Sequence, residues 1–373
     1  TNTTPPTQLT SYNGMVWNGD FYLQGGTVQI NGGNIRGTGK IYVQGAGTFA
    51  QRLNFNSPDV DNNLDVAGTG YLSLSAASGA SIKMNGLLTG SGFVANTGSG
   101  GAVLGNTNPS TFTGTFHVYQ TSTNSSGRMT LKAQTLASAA GVTFITPTNA
   151  AMVPKLTIEN SSTSSGAIVA CPITGPGELT KAYDGDILLT GANDFSLGLV
   201  IQDAGTIYVT NANSLGLGNL VAGSVDSRIG LHASAESDEI TITNNVDTAA
   251  PVVRTNYGTV TNVVGGVTNV TTNSTNITTS YYVMAFAPGT NTNTGVIRSV
   301  RLDSVVTNAG LLKVSGNGNL FVNNTSNSYT GGTEIGTGAI VISNPAVLST
   351  GPVNFGTTTN SFLRFAADMT LTN

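Results

Sequence analysis

The sequence GPGELTKAYDGDILLTGANDFSLGLVIQDAGTIYVTNANSLGLGNL, residues 175–220, consists of short apolar segments separated by Gly, Asn and Asp. Apolar residues recur at every second position in segments 187–189, 199–201 and 207–209, which is the period of a β-strand. The separating residues tolerate positive φ or hydrogen-bond their own backbone, so the chain can turn there at low cost. No segment has the 3.6-residue period of an amphipathic helix. The stretch therefore predicts strands that alternate with tight turns.

The same pattern returns 133 residues later. Seven positions of the first block have counterparts in the second: Gly205, Ile207, Val209, Asn211, Leu215, Gly218 and Leu220 correspond to Gly338, Ile340, Ile342, Asn344, Leu348, Gly351 and Val353. Upstream, Asn193 and Phe195 resemble Asn327 and Tyr329, and a looser copy carries Phe112 at the same place. A constant offset over seven positions indicates a repeat protein.

The composition excludes several classes of protein. Only 9% of the 373 residues are charged, against about 25% in typical soluble domains. The net charge of −4, with no basic run, argues against nucleic-acid binding and against an anionic membrane surface. No run of about 18 apolar residues is present, so we expect no membrane-spanning helix. The 39% of hydrophobic residues, placed at strand spacing, argues against disorder.

Short strands of this kind cannot each bury a face alone, but stacked coils bury a continuous core. The sequence thus predicts an all-β fold, a single-stranded parallel β-helix, with an inserted loop or hairpin. We expect residues 1–14 to be an extended lead-in or cap and 15–373 one continuous solenoid, interrupted by an irregular insert at about 250–295. Coils of about 20 to 25 residues would give about 15 to 18 rungs and a rod of about 70 to 90 Å.

Several residues of the repeat resemble a known family, the autotransporter-associated β-strand repeat of bacterial type V secretion passengers. The resemblance lies in Gly175-x-Gly177-x-Leu179-x-Lys181, Leu189-x-Gly191-x-Asn193-x-Phe195, Gly205-Thr206-Ile207 and SYTGGTEIGTGAIVISNPAVLSTGPV at 328–353. It implies a right-handed parallel β-helix that is secreted and displayed on the bacterial cell surface. The motif consists of turn and core positions, so it implies no chemistry.

Candidate chemical sites are few. The acidic clusters are Asp59, Asp61 and Asp65; Asp184 and Asp186; and Glu236, Asp238 and Glu239. Alternate positions in a strand share a face, so Asp184 and Asp186 could form a pair, but Asp-Gly-Asp is favoured as a turn. The segment SPDVDNNLD at 57–65 has the oxygen-rich spacing of a calcium loop but lacks its Gly and distal Glu, which favours a loop without an ion.

The remaining nucleophiles and bases carry little signal. Cys171 lies among apolar residues and is expected to be a buried small hydrophobe. His117 and His232 are far from Cys171 in sequence, and His117 is at strand spacing. Asn-x-Ser/Thr triplets, at Asn124, Asn160, Asn269, Asn273, Asn276 and Asn324, arise from the composition. We therefore assign no catalytic residue, no cofactor-binding residue and no metal ligand, and we expect no cofactor.

Two hypotheses for the function follow. In the first, the chain is a non-catalytic, extracellular structural or adhesive rod, on a bacterial surface or in a filament or matrix. Its partners would be further copies of itself, packed head to tail, and cell-surface or polysaccharide ligands of the insert. In the second, it is a polysaccharide-binding or polysaccharide-degrading β-helix, a lyase, hydrolase or tailspike-like module, which needs carboxylates to converge from different rungs.

Overall fold

The fold is an all-β parallel β-helix of about 13 turns, which confirms the predicted fold class. The computed structural model describes residues 8–11, 14–30, 33–51, 57–106, 108, 110–121, 127–161, 166–232, 235, 237–249, 252–264, 267–280, 282–290 and 294–368. Helical structure in these ranges consists of three 3₁₀ helices, Ala133–Leu136, Ala212–Leu215 and Pro345–Leu348. None of the described residues forms a helix that is long and apolar enough to cross a membrane.

The strands of the first half are β1 (Gln8–Ser11), β2 (Met15–Val16), β3 (Phe21–Ile30), β4 (Ile35–Arg36), β5 (Ile41–Gln51), β6 (Asp59–Val60), β7 (Leu64–Val66), β8 (Tyr71–Ala76), β9 (Ser81–Met84), β10 (Leu88–Gly90), β11 (Phe93–Asn96), β12 (Gly101–Leu104), β13 (Thr115–Val118), β14 (Arg128–Lys132), β15 (Gly141–Phe144), β16 (Lys155–Glu159), β17 (Ala167–Val169) and β18 (Ile173–Thr174).

The strands of the second half are β19 (Glu178–Ala182), β20 (Ile187–Leu189), β21 (Gly198–Ile201), β22 (Thr206–Val209), β23 (Leu220–Ala222), β24 (Ser227–Leu231), β25 (Glu239–Ile242), β26 (Val246–Asp247), β27 (Val252–Val264), β28 (Val267–Ser280), β29 (Val283–Ala287), β30 (Ser299–Leu302), β31 (Val306–Thr307), β32 (Leu311–Val314), β33 (Asn319–Val322), β34 (Thr333–Ile335), β35 (Gly338–Ile342), β36 (Val353–Phe355) and β37 (Ser361–Phe365).

Four parallel sheets form the faces of the rod. Sheet A has the order β1-β3-β5-β8-β11-β13-β15-β18, with β7 and β10 beside it, and sheet B runs β2-β4-β6-β9-β12-β14-β16-β19-β21-β23-β26-β31. Sheet C runs β17-β20-β22-β24-β29-β32-β34-β36, and sheet D runs β25-β30-β33-β35-β37. Sheet B spans most of the described rod, while sheet A belongs to its N-terminal half and sheets C and D to its C-terminal half. Part of the predicted lead-in, β1, pairs in parallel with β3.

The core is a set of side-chain stacks that run along the rod. In sheet B, register pairing places Ile82, Ala102, Met129, Leu156, Leu179, Leu199, Leu220, Val246 and Val306 above one another. All of them are buried. Each strand alone buries only two or three apolar side chains, so the hydrophobic gain comes from stacking successive turns.

The number of turns is smaller than the predicted 15 to 18. Leu179 pairs with Leu199, whereas Met129 pairs with Leu156, so a turn takes 20 residues in one place and 27 in another. The insert also uses chain without adding a rung. About 13 turns at about 4.8 Å each give a rod of about 60 Å rather than 70 to 90 Å.

The predicted repeat has the same backbone in both copies. Gly205 and Gly338 have φ of 84° and 81°, and each is followed by a strand and then by a 3₁₀ helix that ends at a fully buried leucine, Leu215 or Leu348. The two copies nevertheless lie on different faces, since β22 belongs to sheet C and its counterpart β35 to sheet D. The unit is a local structure that can occupy any face of the coil.

The insert is an antiparallel β-hairpin formed by β27 and β28. It lies within one turn of the helix, because sheet C pairs Ile229 with Phe286 and sheet D pairs Glu239 with Ser299 across it. The ladder of the rod thus continues on both sides of the hairpin. The right hand of the coil and the division at residue 14 stay predictions.

Candidate functional site

The acidic residues of the predicted clusters are used mainly to join neighbouring turns. Asp65 binds Lys40 at 2.9 Å, and Asp61 lies 3.5 Å from Arg36. Ion pairs between turns include Arg36–Asp61, Lys40–Asp65, Lys132–Glu159, Lys155–Glu178, Arg298–Asp238, Arg301–Glu239 and Lys313–Glu334. Pairs at the surface contribute about 0 to 1 kcal/mol each, so their main effect is to fix the register of adjacent coils.

Asp65 shows the electrostatics of one such pair. Partial burial opposes ionisation of its carboxyl, but hydrogen bonds from the Lys40 ammonium and the Thr89 hydroxyl and the Lys40 charge outweigh it, so the pKa is lowered from 3.8. Asp65 is therefore ionised and paired at neutral pH, which does not suit a general acid. No three His, Cys, Asp or Glu residues in the described ranges are placed so that they could hold a metal ion.

Asp184 and Asp186 lie in the turn between β19 and β20, as the turn preference of Asp-Gly-Asp predicts. The Oδ1 of Asp186 accepts a hydrogen bond of 2.6 Å from the backbone N–H of Thr206, one turn further on. In the third cluster, Asp238 and Glu239 pair with Arg298 and Arg301, and Glu236 lies outside the described residues.

The same corner contains the most unusual side chain of the rod, Lys181, which is 1% exposed. It stands in a stack of inward aliphatic side chains, between Ile158 on the preceding turn and Ile201 on the following one. Its ammonium donates hydrogen bonds to the carbonyl oxygens of Tyr183 and Ala204. The lysine therefore replaces a core residue and ends in the turns of two successive coils.

Burial lowers the pKa of Lys181 to about 8, against the opposing influence of four carboxylates on three turns, Asp186, Asp203, Asp184 and Asp226. A lysine of lowered pKa in a cleft is a candidate nucleophile. Here the amine is enclosed by backbone, and the Asp203 carboxylate fixes Tyr183 through its N–H at 2.7 Å, with Tyr183 at φ 65°. The corner is a structural lock rather than an open site.

The single cysteine fits its prediction. Cys171 is buried, and burial raises the pKa of its thiol to about 11, so almost no thiolate is present at neutral pH. The two histidines lie among aromatic rings instead. His117 lies on the outer face of sheet A, 5.1 Å from Phe93 and 6.2 Å from Tyr71 between ring centroids. Burial lowers the pKa of His117.

Two outer faces carry aromatic and polar side chains without clustered acids. On sheet A the rings of Tyr22 and Tyr42 stack on each other at 4.9 Å, so they turn mainly their edges to solvent. On sheet D a shallow concavity is lined by Ile297, Asn317, Gly318, Asn319, Gly338, Ala339, Asn360, Phe362 and Arg364. The Arg364 guanidinium lies over the Phe362 ring at 5.6 Å and donates to Asn319 Oδ1 at 3.2 Å.

The asparagines of the Asn-x-Ser/Thr triplets differ in setting. Asn160 is 1% exposed, and its amide donates to the Asp186 carbonyl, so it is not available for glycosylation. Asn324 lies in a loop and accepts from the N–H of Ser326 at 2.9 Å. Asn269, Asn273 and Asn276 belong to β28, and Asn124 lies outside the described residues.

Sequence reasoning missed Lys181 although the signal was available. Strict alternation from Leu179 places Lys181 on the inward face of β19, where a charged residue must find buried partners. The hydrogen-bond partners themselves lie 2 and 23 residues away, across a turn whose backbone geometry the sequence does not specify.

No protein-family model matches the chain, and neither a curated protein nor a solved structure matches it. The β-helix therefore rests on the chain's own strand pairing and repeats.

Proposed function

We propose that the chain is a non-catalytic extracellular rod with a structural or adhesive role, displayed on a bacterial surface or assembled in a filament or matrix. The observation that carries the proposal is the parallel ladder of about 13 turns, which makes a rod of about 60 Å in which nearly every strand is bonded to both neighbours. A ladder of this kind resists extension and bending because each backbone bond is shared between coils.

The use of polar residues supports a mechanical role. The charged residues are few, and most of those in ion pairs connect successive turns rather than converge on one point. The inward asparagines have a similar role. Asn193 accepts from the N–H of Ile173 at 2.8 Å and donates to the carbonyl of Ser214 at 2.7 Å, so one amide bridges three coils.

The extracellular, bacterial part of the proposal rests on the resemblance of the repeat to passenger domains of type V secretion. The repeat residues have the structural roles that the resemblance implies, since Asn327 repeats the bridge of Asn193 between Val306 and Val347. A single buried cysteine with no partner thiol is also compatible with an oxidising compartment.

The test is to label intact cells that produce the chain with an antibody raised against the purified rod. The proposal predicts labelling without permeabilisation and loss of the label after brief treatment of intact cells with protease. Labelling that requires permeabilisation would contradict it, with a periplasmic protein as the internal control for cell integrity.

The alternative, a polysaccharide-binding or polysaccharide-degrading β-helix, has one observation in its favour. The concavity on sheet D combines an exposed phenyl ring, Phe362, with planar polar groups of Arg364 and Asn319, and such combinations suit ligands with both apolar and polar faces. If the site binds sugar, Phe362→Ala with Arg364→Ala should abolish co-sedimentation with an insoluble polysaccharide, whereas Tyr22→Ala on sheet A should not. Release of new reducing ends by the wild-type chain would favour the enzyme over the rod.

A further inference from the structure

The hairpin formed by β27 and β28 stands apart from the four sheets of the rod. Its strands are 13 and 14 residues long, and they pair with each other alone among the described strands. Each strand therefore has one edge of backbone N–H and C=O groups without a partner strand. Two-stranded ribbons are marginally stable in water, and free edges are templates for a further strand.

A register shift divides the hairpin into two parts. Five pairs, from Val252 with Ser280 to Asn256 with Asn276, form the base next to the rod. After the shift, eight uninterrupted pairs, from Tyr257 with Ser274 to Val264 with Val267, form the distal part. The distal part is about 26 Å long at about 3.3 Å per residue, longer than the usual strand of five or six residues.

The distal part lacks the residues that normally protect an edge. Its sequences, YGTVTNVV at 257–264 and VTNVTTNS at 267–274, contain no charged residue and no proline. Natural edges are usually kept apart by Lys, Pro, short strands or bulges. The only irregularity of this hairpin lies at its base, and its only charged residue, Arg254, lies there as well.

We propose that the distal hairpin is a self-association element, in which the edge of one hairpin pairs with the same edge of a hairpin from a second copy of this chain. A second copy fits because its edge has the same length and is equally uncharged, so pairing meets no electrostatic repulsion. Identical edges related by a two-fold axis form a closed pair. The proposal joins rods side by side and does not depend on where the chain is located.

The first experiment measures the association of the purified chain by sedimentation velocity over a series of concentrations. The wild type should form a dimer in a concentration-dependent way. Val260→Lys tests the edge of β27, and Thr271→Lys, its register partner, tests the edge of β28. One of the two should weaken the dimer by about tenfold or more, because like charges then face each other across the pair.

Charge complementation makes the test specific. Lysine and glutamate variants at the sensitive position should each be monomeric alone, and a mixture of the two should recover the dimer. Thr330→Lys, an exposed position on the rod, is the matched control and should dimerise as the wild type does. Equal thermal unfolding of all variants would show that the rod is intact. A monomeric wild type, or dimers unaffected by both lysine variants, would overturn the proposal.

Discussion

At the scale of single residues, the corner around Lys181 has the clearest physical consequence. An ammonium placed among stacked aliphatic side chains costs desolvation energy, and its two carbonyl partners and the surrounding carboxylates offset only part of that cost. The pKa of Lys181 is consequently lowered from 10.5 to about 8. The charge is retained at neutral pH at the expense of stability.

This cost should be visible as a pH dependence of stability. Between about pH 8 and 10.5 the unfolded chain binds more protons at Lys181 than the folded chain, so the unfolding free energy rises with pH in that window. Relative to Lys181→Met, the wild type should gain up to about 3 kcal/mol between pH 7.5 and 10.5, as measured by denaturant unfolding. Lys83→Met, at an exposed position, provides the baseline. A constant difference across the window would contradict the assignment.

Gly205 allows the close approach of the turns at this corner. Its φ is 84°, and an added Cβ would overlap the carbonyl oxygen of Asp184 and lie 2.7 Å from Lys181 Nζ. We expect Gly205→Ala to lower the unfolding free energy by about 1 to 3 kcal/mol. Gly19→Ala is the control, since nothing lies within 4 Å of its added Cβ. Equal thermal midpoints for the two variants would show that the turn is not constrained as described.

At the scale of elements, buried asparagine bridges connect the coils. The amide of Asn193 satisfies the N–H of Ile173 and the C=O of Ser214, both in the interior between turns. Removing the amide leaves both groups without a partner, and each buried unsatisfied group costs about 1 to 3 kcal/mol. The bridge therefore matters more to stability than any one surface ion pair.

Asn193→Ala should lower the unfolding free energy by about 2 to 4 kcal/mol, measured by urea titration. Asn219→Ala, at an exposed turn position one coil away, should change it by less than about 0.5 kcal/mol. Asn327→Ala is an independent repeat of the experiment at the second bridge, and losses at neither position would contradict the bridging role.

The hairpin is an element that the rod does not need. Sheets C and D keep their parallel pairing across it, as Ile229 with Phe286 and Glu239 with Ser299 show. Replacing residues 251–281 by a short Gly-Ser linker should therefore leave the far-ultraviolet circular dichroism of the rod and its thermal midpoint nearly unchanged. A collapse of the cooperative transition would mean that the hairpin contributes to the fold of the rod.

The sequence predicted the fold from positions whose spacing is set by strands and turns. Gly205 and Gly338 announced turns, and Leu215 and Leu348 announced core positions, because a single local rule fixes each of them. The face occupied by each copy could not be predicted, since it depends on the summed lengths of the intervening turns. Those lengths vary from 20 to 27 residues, and the hairpin adds more. The same uncertainty made the predicted number of rungs too high.

The candidate site was less predictable than the fold for a related reason. Asp65 and Asp186 appeared in the sequence as members of local acidic clusters, but their partners, Lys40 and the N–H of Thr206, are 25 and 20 residues away. The register between coils decides such contacts. Only the burial of Cys171 followed directly from its apolar neighbours.

At the scale of the whole molecule, the account describes a stiff rod with an uncharged ribbon projecting from one of its turns. The rod supplies length and resistance to unfolding, and the ribbon supplies an edge for contacts. Both parts suit an extracellular structural or adhesive protein, in which many weak and identical contacts add up along a surface.

The most direct measurement is electron microscopy of native material from cells that produce the chain, with the protein located by gold-labelled antibody. The account predicts label outside the cell, on thin rods or on filaments built from units about 60 Å long. Filaments would identify an assembling subunit, whereas single rods attached to cells would identify an adhesive passenger. Label confined to the cell interior, on compact particles without an extended axis, would contradict the account.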